Sequence, residues 1–343
     1  MNPFRKILFV GLILLLAGTV FAGGRSSGGS TGGAFDPSKE KVAICMMVMN
    51  HPVHRIVQLG FLKAAAELGY TQAKVIGTDS ADNAEAYATV EPFVAEGGKG
   101  LLIWVGDSSG YAAIKLAGDA GVVVGVPHFK LDPPPPGLKF GMACDPVKYG
   151  AQAAELMASK LSGKTGSVAI TQNTKNVTEN SAAESFERTW GTLGSRYDLS
   201  GIRILPVQLE GAVVDQATAI NLAIIQANRD IIGAFGTTGN SPVTWGDAAT
   251  KAGRADGEIF IIGMDATEGN LDYLEAGKVG ALVAQPLYEE AYKTMQYIDT
   301  VLRGGTVPQW TDLDAPLVTK DGSGPNGIDF HRGIAAEVRT FFR

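Results

Sequence analysis

Three of the histidines in this chain lie where a binding or catalytic group would be useful. His51 and His54 are three positions apart, and His128 precedes Phe129 much later in the chain. Two imidazoles at this spacing can share a metal ion, but a structural zinc site requires four ligands. We interpret these histidines as polar groups of a ligand pocket; loop residues and metal ligands are the alternatives.

The motifs of phosphate-binding and nucleophilic enzymes do not accompany these histidines. No G-x-G-x-x-G follows a predicted strand, and neither a P-loop nor a G-x-S-x-G elbow occurs in the chain. The segment 236–240 (Gly-Thr-Thr-Gly-Asn) follows a strand, but its glycine spacing fits neither phosphate motif and favours a plain turn. We therefore predict a binding protein rather than an enzyme, with no cofactor and no metal.

Polar and aromatic side chains follow nearly every predicted strand. In open α/β sheets, ligands bind beyond the carboxyl ends of the strands. Amides and carboxylates bond hydroxyl groups, and aromatic faces cover apolar ring faces, so this set is typical of a cleft for a small polar molecule. The predicted ligand-binding residues are His51, His54, Trp104, Asp107, His128, Phe129, Asn240, Asp265 and Gln285, with Asn180 added from the second half of the chain.

The strands that position these residues alternate with helices in two series. The first series has strands at 42–49, 74–77, 100–105 and 122–126, with a single helix predicted over 83–95. The second has strands at 167–171, 202–208, 231–235, 258–263 and 281–284. Alternation of this kind requires right-handed crossovers and a doubly wound parallel sheet. We therefore predict an α/β protein with two Rossmann-like lobes.

The first 22 residues are typical of a cleaved export signal. A short cationic start with Arg5 and Lys6 precedes an apolar run and small residues that end at Ala22. No cysteine lies in or just after this segment, so a lipoprotein signal is not indicated, and we predict a periplasmic location. Residues 23–37 are predicted to be a Gly/Ser-rich tether.

The net charge bears on the possible binding partners of the chain, and the two cysteines bear on disulfide bonding. The chain has 343 residues, with 29 Lys and Arg against 35 Asp and Glu, a net charge of −6. This balance argues against nucleic acid, whose phosphates require clustered basic residues. Cys45 and Cys144 are interpreted as two unpaired buried thiols, and a bridge between them remains the alternative.

The chain resembles the type I periplasmic substrate-binding proteins of ABC transporters, in the ribose/galactose-binding family. The resemblance covers roughly residues 41–319 and is sharpest in 42–70, 100–108 and 261–305. In particular, Gly263-Met264-Asp265 and Ala284-Gln285-Pro286 match the ribose-binding pattern, and the loop 50–54 resembles the opening loop of the family. It implies that Asp265 and Gln285 bind sugar hydroxyls. It also places His51 where the family has a hydrogen-bonding Asn, with Val53 and His54 at two aromatic stacking positions.

Four further positions depart from the ribose-binding pattern. Trp104 stands where that pattern has an Asn, and His128-Phe129 stands where it has Asp-Arg. Glu184 aligns with a pocket arginine and joins the predicted ligand-binding set. A pocket that lacks arginine but holds Glu184 and Asp265 disfavours anionic ligands and could favour an amine-bearing one.

The resemblance also implies an organisation and a mechanism. Three crossings between the lobes are expected near 143–145, 285 and 311–314. The lobes are then 38–144 plus 286–310 and 145–285 plus 311–343. A monomer would capture a sugar, polyol or related molecule between its lobes, close about the hinge, and deliver the ligand to an ABC permease. The alternatives are a ligand sensor for a chemoreceptor or sensor kinase, and a binder of a nucleoside or small amine.

Overall fold

The computed structural model describes residues 35–80, 82–173, 177–211 and 213–343. The predicted signal peptide, and the tether as far as residue 34, lie outside the described residues. Regular structure starts with a short 3-10 turn at Pro37–Lys39, where the Asp36 side chain accepts a hydrogen bond from the Ser38 backbone N–H. In this part of the chain, no helix is long and apolar enough to cross a membrane.

The first sheet is parallel and has helices on both faces. Its strands are β1 (Lys41–Met46), β2 (Gln72–Gly77), β3 (Gly100–Ile103), β4 (Val123–Pro127), β5 (Leu138–Cys144) and β12 (Trp310–Leu313); its helices are α1 (Pro52–Glu67), α2 (Asn83–Ala88), α3 (Val90–Ala95), α4 (Gly110–Asp119) and α10 (Leu287–Leu302). The strand order is β12-β5-β4-β3-β1-β2, with parallel pairing throughout the described register. The interior strand β1 is fully buried from Val42 to Met46, as expected for a strand covered on both faces.

The second sheet repeats this architecture. Its strands are β6 (Gly166–Gln172), β7 (Ile202–Ile204), β8 (Gln208–Leu209), β9 (Ile231–Gly236), β10 (Phe260–Met264), β11 (Ala281–Val283) and β13 (Leu317–Val318); its helices are α5 (Pro146–Leu161), α6 (Val177–Trp190), α7 (Val214–Ala227), α8 (Ser241–Lys251), α9 (Glu268–Glu275) and α11 (Ile328–Phe341). The strand order is β13-β11-β10-β9-β6-β7, and β8 pairs with β6 beside β7. The edge strand β13 is antiparallel to β11. The predicted fold class is confirmed.

The chain passes from one sheet to the other after β5, after β11 and after β12 within the described residues. The last passage differs in detail from the expected lobe boundary. Residues 311–313 were assigned to the second lobe, but they belong to β12, which pairs in parallel with β5 of the first sheet. The passage itself occupies the residues between Leu313 and Leu317.

Two proline residues account for the main differences in element boundaries. The predicted helix over 83–95 is two helices, α2 and α3, which meet at Thr89. Pro92 lacks an N–H, and its ring clashes with the carbonyl four residues earlier, so a continuous helix cannot form there. The predicted strand over 202–208 is likewise divided into β7 and β8, with Pro206 between them. Helices α9 and α11 were not predicted.

Candidate functional site

A cavity of about 440 Å³ lies at the carboxyl ends of both sheets. The segments that follow β1, β3 and β4 of the first sheet and β6, β9, β10 and β11 of the second contribute to its wall. A side chain placed there is held by two rigid sheets, which suits a binding site between lobes. The lining residues are Met47, Val48, His51, Val53, His54, Gly106, Trp104, His128, Phe129, Tyr149, Asn173, Glu179, Thr237, Thr238, Gly239, Asn240, Met264, Asp265 and Gln285.

One wall of the cavity is a cluster of aromatic rings from the first lobe. The Trp104 ring stacks on the His128 ring, with centroids 4.4 Å apart and an interplanar angle of 11°. Phe129 meets the His128 ring edge-on at 4.5 Å, and His54 lies 5.0 Å from Trp104. Flat apolar faces of this kind can pack against the C–H face of a ring-shaped ligand.

The beginning of α1 positions two histidine rings of the cavity wall, His51 and His54. The His51 side chain caps the helix, because its Nδ1 accepts a hydrogen bond from the Val53 backbone N–H at 3.3 Å. The His54 Nδ1 lies 2.7 Å from the Met47 carbonyl oxygen. Burial lowers the pKa of His51, and burial followed by the neighbouring His51 lowers the pKa of His54 to about 4. Both rings are therefore neutral at pH 7.

Three non-glycine residues with left-handed backbone conformations all line this cavity. Val48 has φ 42°, His128 has φ 78° and Asp265 has φ 66°. Such conformations cost free energy for residues with a Cβ atom, so the surrounding structure must enforce them. All three residues line one cavity, so this is where the backbone adopts energetically costly conformations that orient side chains.

Asp265 is the most unusual group of the cavity. Its side chain is 4% exposed, and the Oδ1 atom has no hydrogen-bond partner. Burial raises the pKa of this carboxyl to about 7; the nearby His128 opposes the rise and Glu290 adds to it. A buried acceptor without a partner is costly, and a ligand that donates a hydrogen bond to Asp265 would remove that cost.

The loop that carries Asp265 is fixed by a residue that the sequence did not reveal. The Asn270 side-chain amide donates to the carbonyl oxygens of Gly239, Met264 and Asp265, at 2.8, 3.0 and 2.9 Å. One buried amide thus ties together two of the segments that line the cavity. An Asn five residues after the predicted ligand residue was the only signal in the sequence.

A buried carboxylate supports the neighbouring loop. Glu210 is 1% exposed and accepts hydrogen bonds from Thr238 Oγ1 at 2.8 Å, Asn221 Nδ2 at 2.9 Å and the Ser241 hydroxyl. These bonds hold the turn at 237–241, whose residues 237–240 line the cavity. Glu210 was not predicted, because nothing in its local sequence marks it as buried.

Most of the predicted residues lie together, but three do not line the cavity. Asp107 is exposed in the loop before α4, where it accepts a hydrogen bond from the Ser109 backbone N–H at 2.9 Å. Asn180 and Glu184 lie on α6 outside the lining, and Glu184 is exposed. The carboxylate of this helix that lines the cavity is Glu179.

Glu179 rather than Glu184 lines the cavity because of where helix α6 begins. Helix α6 begins at Val177, four positions before the predicted start at residue 181. Glu179 therefore lies in the first turn, at the end that meets the cavity. Five residues further along, at about 100° per residue, Glu184 points to a different side of the helix.

The three histidines do not form a metal site. Within the described residues, no group of three or more His, Cys, Asp or Glu side chains could hold a metal ion. Both cysteines are buried and unbridged. Burial raises the pKa of Cys45 to about 12 and that of Cys144 well above its ordinary value, with the charge of Glu290 adding to the second effect.

A second cavity, of about 560 Å³, lies beside the passages between the sheets. Its wall includes the apolar side chains of Ile56, Leu313, Phe330 and Ile334, and Gln285 lies in the wall of both cavities. The Gln285 amide also approaches Cys144 Sγ at 3.8 Å. The predicted polar and aromatic groups converge on the smaller cavity rather than on this one.

Comparison with known proteins agrees with this geometry. Residues 42–306 match the model of the family described as "Periplasmic binding protein domain". Among curated proteins, the ribose import binding protein RbsB of Salmonella typhimurium is 26% identical over 289 residues, covering 82% of this chain and 92% of that protein. The Escherichia coli K12 protein of the same name is 25% identical with the same coverage.

Solved structures of similar fold cover most of the chain. A solute-binding protein from Burkholderia graminis, solved in complex with D-arabinose, has a TM-score of 0.74 at 18% identity and covers 84% of this chain and 97% of that chain. The glucose-galactose binding protein GanP from Geobacillus stearothermophilus has a TM-score of 0.70 at 20% identity, covering 82% and 97%. Because the family model spans well over half of the residues and the two-sheet fold agrees with it, this chain belongs to the periplasmic binding protein domain family.

Proposed function

We propose that this protein is an exported, monomeric solute-binding protein that captures an uncharged sugar or polyol in the 440 Å³ cavity and delivers it to an ABC importer. The observation that carries the proposal is Asp265, a buried carboxylate with an unpartnered oxygen in the cavity wall. Ligand hydroxyls are donors that would satisfy it, while the aromatic wall would cover the C–H face of the same molecule.

The charges of the cavity support an uncharged ligand over an anionic one. Its described lining contains two carboxylates, Asp265 and Glu179, and neither lysine nor arginine. His51 and His54 are neutral at pH 7 because burial lowers their pKa values. A sugar acid or sugar phosphate would therefore find neither a lysine nor an arginine to pair with in the described lining.

The relatives support the same class of ligand and the same partner. The proteins named for ribose import and the solute-binding protein in complex with D-arabinose bind pentoses by name, and the former serve import. A ligand that contacts both lobes stabilises the closed form by its differential affinity. In our proposal, the membrane permease recognises that closed form in the periplasm.

The test is a thermal-shift screen of residues 23–343, which omit only the predicted signal peptide, followed by calorimetry of each compound that stabilises the protein. The panel contains D-ribose, D-arabinose, other neutral sugars and polyols, the matching sugar acids, and small amines. A ligand at a hundredfold excess over its dissociation constant adds about 2.7 kcal/mol to the stability. We expect neutral sugars or polyols to stabilise the protein and sugar acids to have no effect. Stabilisation by amines alone would overturn the proposal and give Asp265 a cationic partner.

A matched pair of variants ties the binding to this cavity. Asp265→Asn should weaken binding of the neutral ligand by at least about tenfold, since a group that can accept at both oxygens is replaced by an amide with one acceptor and one donor. Asp256→Asn removes an exposed carboxylate of the same lobe and should leave binding unchanged. Equal affinity of both variants would place the ligand elsewhere.

A further inference from the structure

Behind the aromatic wall lies a buried carboxylate that the proposed function does not use. Glu290, in the first turn of α10, has no solvent exposure and is not among the residues that line the cavity. Its Oε2 atom lies 3.0 Å from Nδ1 of His128, whereas its Oε1 atom has no hydrogen-bond partner. A buried carboxylate needs a strong donor, and His128 supplies it.

The His128 ring has little freedom to turn away from this contact. One face stacks on Trp104, and the edge of Phe129 packs against the ring. The His128 backbone, with φ 78°, is held by its N–H donating to the Met142 carbonyl oxygen at 2.7 Å. The ring therefore meets Glu290 through Nδ1 and also belongs to the cavity wall.

This arrangement decides which ring nitrogen of His128 carries the proton. A neutral imidazole has one N–H donor and one acceptor nitrogen, and an ionised carboxylate can only accept. With Glu290 as the partner of Nδ1, a neutral His128 carries its proton on Nδ1, and its Nε2 atom is left as an acceptor.

In the other two histidines of the wall, backbone groups determine which ring nitrogen carries the proton. His54 Nδ1 lies 2.7 and 3.0 Å from the carbonyl oxygens of Met47 and Val48, so it also carries the proton. His51 Nδ1 accepts from the Val53 N–H, which puts the proton of His51 on Nε2. In their neutral forms, His54 and His128 thus have Nε2 as an acceptor and His51 has Nε2 as a donor, and the partner of Nδ1 sets each of these states.

We propose that Glu290 is a positioning residue of the ligand site, which holds the His128 proton on Nδ1 and so makes Nε2 an acceptor for a ligand hydroxyl. This inference rests on the proposed function, because it requires a ligand with hydroxyl donors. Together with Asp265, His128 would then select a molecule that presents hydroxyl groups toward this side of the cavity. A ligand with an ether oxygen at that place would leave both acceptors unsatisfied.

The first test needs no ligand and no variant at position 290. In a long-range ¹H–¹⁵N spectrum of the ligand-free protein at pH 7, the chemical shifts of each imidazole report which nitrogen is protonated. The chain has four histidines, and His51→Gln, His54→Gln, His128→Gln and His331→Gln assign them. We expect His128 to be protonated on Nδ1 and unprotonated on Nε2. A proton on Nε2, with or without one on Nδ1, would overturn the proposal.

The second test compares neighbouring glutamates of the same helix. Glu290→Leu removes the acceptor at similar volume, so nothing holds the proton on Nδ1; Glu289→Leu, at an exposed position, is the control. We expect Glu290→Leu to shift the His128 resonances toward the Nε2-protonated form and to raise the dissociation constant for D-ribose at least tenfold. Glu289→Leu should change neither. Unchanged His128 resonances in folded Glu290→Leu would refute a positioning role.

Two further outcomes keep the inference separate from the proposed function. If Glu290→Leu does not fold, the test uses Glu290→Gln. Its side-chain amide can donate as well as accept, so we expect a mixture of the Nδ1-protonated and Nε2-protonated forms of His128. A single Nδ1-protonated form in Glu290→Gln would count against the proposal. Failure of the wild-type protein to bind any neutral sugar or polyol would overturn the proposed function, and the spectrum of the ligand-free protein would still decide where the His128 proton lies.

Discussion

Replacing Asp265 by Asn should make the ligand-free protein more stable at alkaline pH while it weakens ligand binding. The carboxyl is 4% exposed and one of its oxygens has no partner. Burial raises its pKa from 3.8 to about 7, against the opposing effect of His128 and with the addition of Glu290. An Asn side chain carries no charge that folding must desolvate.

The sign of the effect follows from where the proton is bound. Between pH 3.8 and about 7, the folded protein keeps a proton on Asp265 that the unfolded chain has released. The free energy of unfolding therefore falls as the pH rises through this window. At about 1.36 kcal/mol per pH unit, the full interval amounts to about 4 kcal/mol, which is an upper bound.

The assay is urea unfolding of the wild type and Asp265→Asn between pH 4 and pH 8, without ligand. The pKa of the buried His54 is lowered from 6.5 to about 4, so the stability that the neutral ring contributes is lost as the pH falls below about 6.5. Both proteins contain His54, so this effect cancels in the difference between their unfolding free energies. We expect the stability of Asp265→Asn relative to wild type to rise by up to about 4 kcal/mol from pH 4 to pH 8. Asp256→Asn should show a flat difference. A flat difference for Asp265→Asn as well would refute the assignment of a buried, proton-holding carboxyl.

Three other substitutions test the packing and the site. Glu210→Gln should cost about 1–3 kcal/mol in urea unfolding, because it leaves a buried donor facing a donor; a change under about 0.5 kcal/mol would contradict the hydrogen-bond network. Gly60→Ala should destabilise the protein by more than about 2 kcal/mol, since its Cβ would lie 2.2 Å from the Tyr288 carbonyl oxygen. The control Gly333→Ala has open space around its Cβ. It should instead stabilise the protein by about 0.5–1 kcal/mol, because Ala has the higher helix propensity, and so raise the melting temperature slightly. Trp104→Leu should weaken sugar binding about tenfold by calorimetry, because the flat face of the aromatic wall is lost; unchanged affinity would remove Trp104 from the site.

The sequence by itself determined the two-lobed α/β fold. Continuous apolar runs such as 42–49 can be buried only in a sheet covered on both faces, and the alternating helices impose parallel order. The same order places residues such as Trp104, His128 and Asp265 at carboxyl ends of strands, so their convergence followed from topology. Local sequence also carried the breaks at Pro92 and Pro206, although their effect on element boundaries was not predicted.

Only the tertiary structure decided which polar groups line the cavity and which support those groups from behind. The side of a helix that meets the cavity depends on where the helix begins, so Glu179 rather than Glu184 lines the wall. Glu290 lies 162 positions from His128, its hydrogen-bond partner, and Glu210 lies 28 positions from Thr238. Burial and charge state depend on neighbours that are distant in sequence, because the chain brings them together only when both sheets are packed.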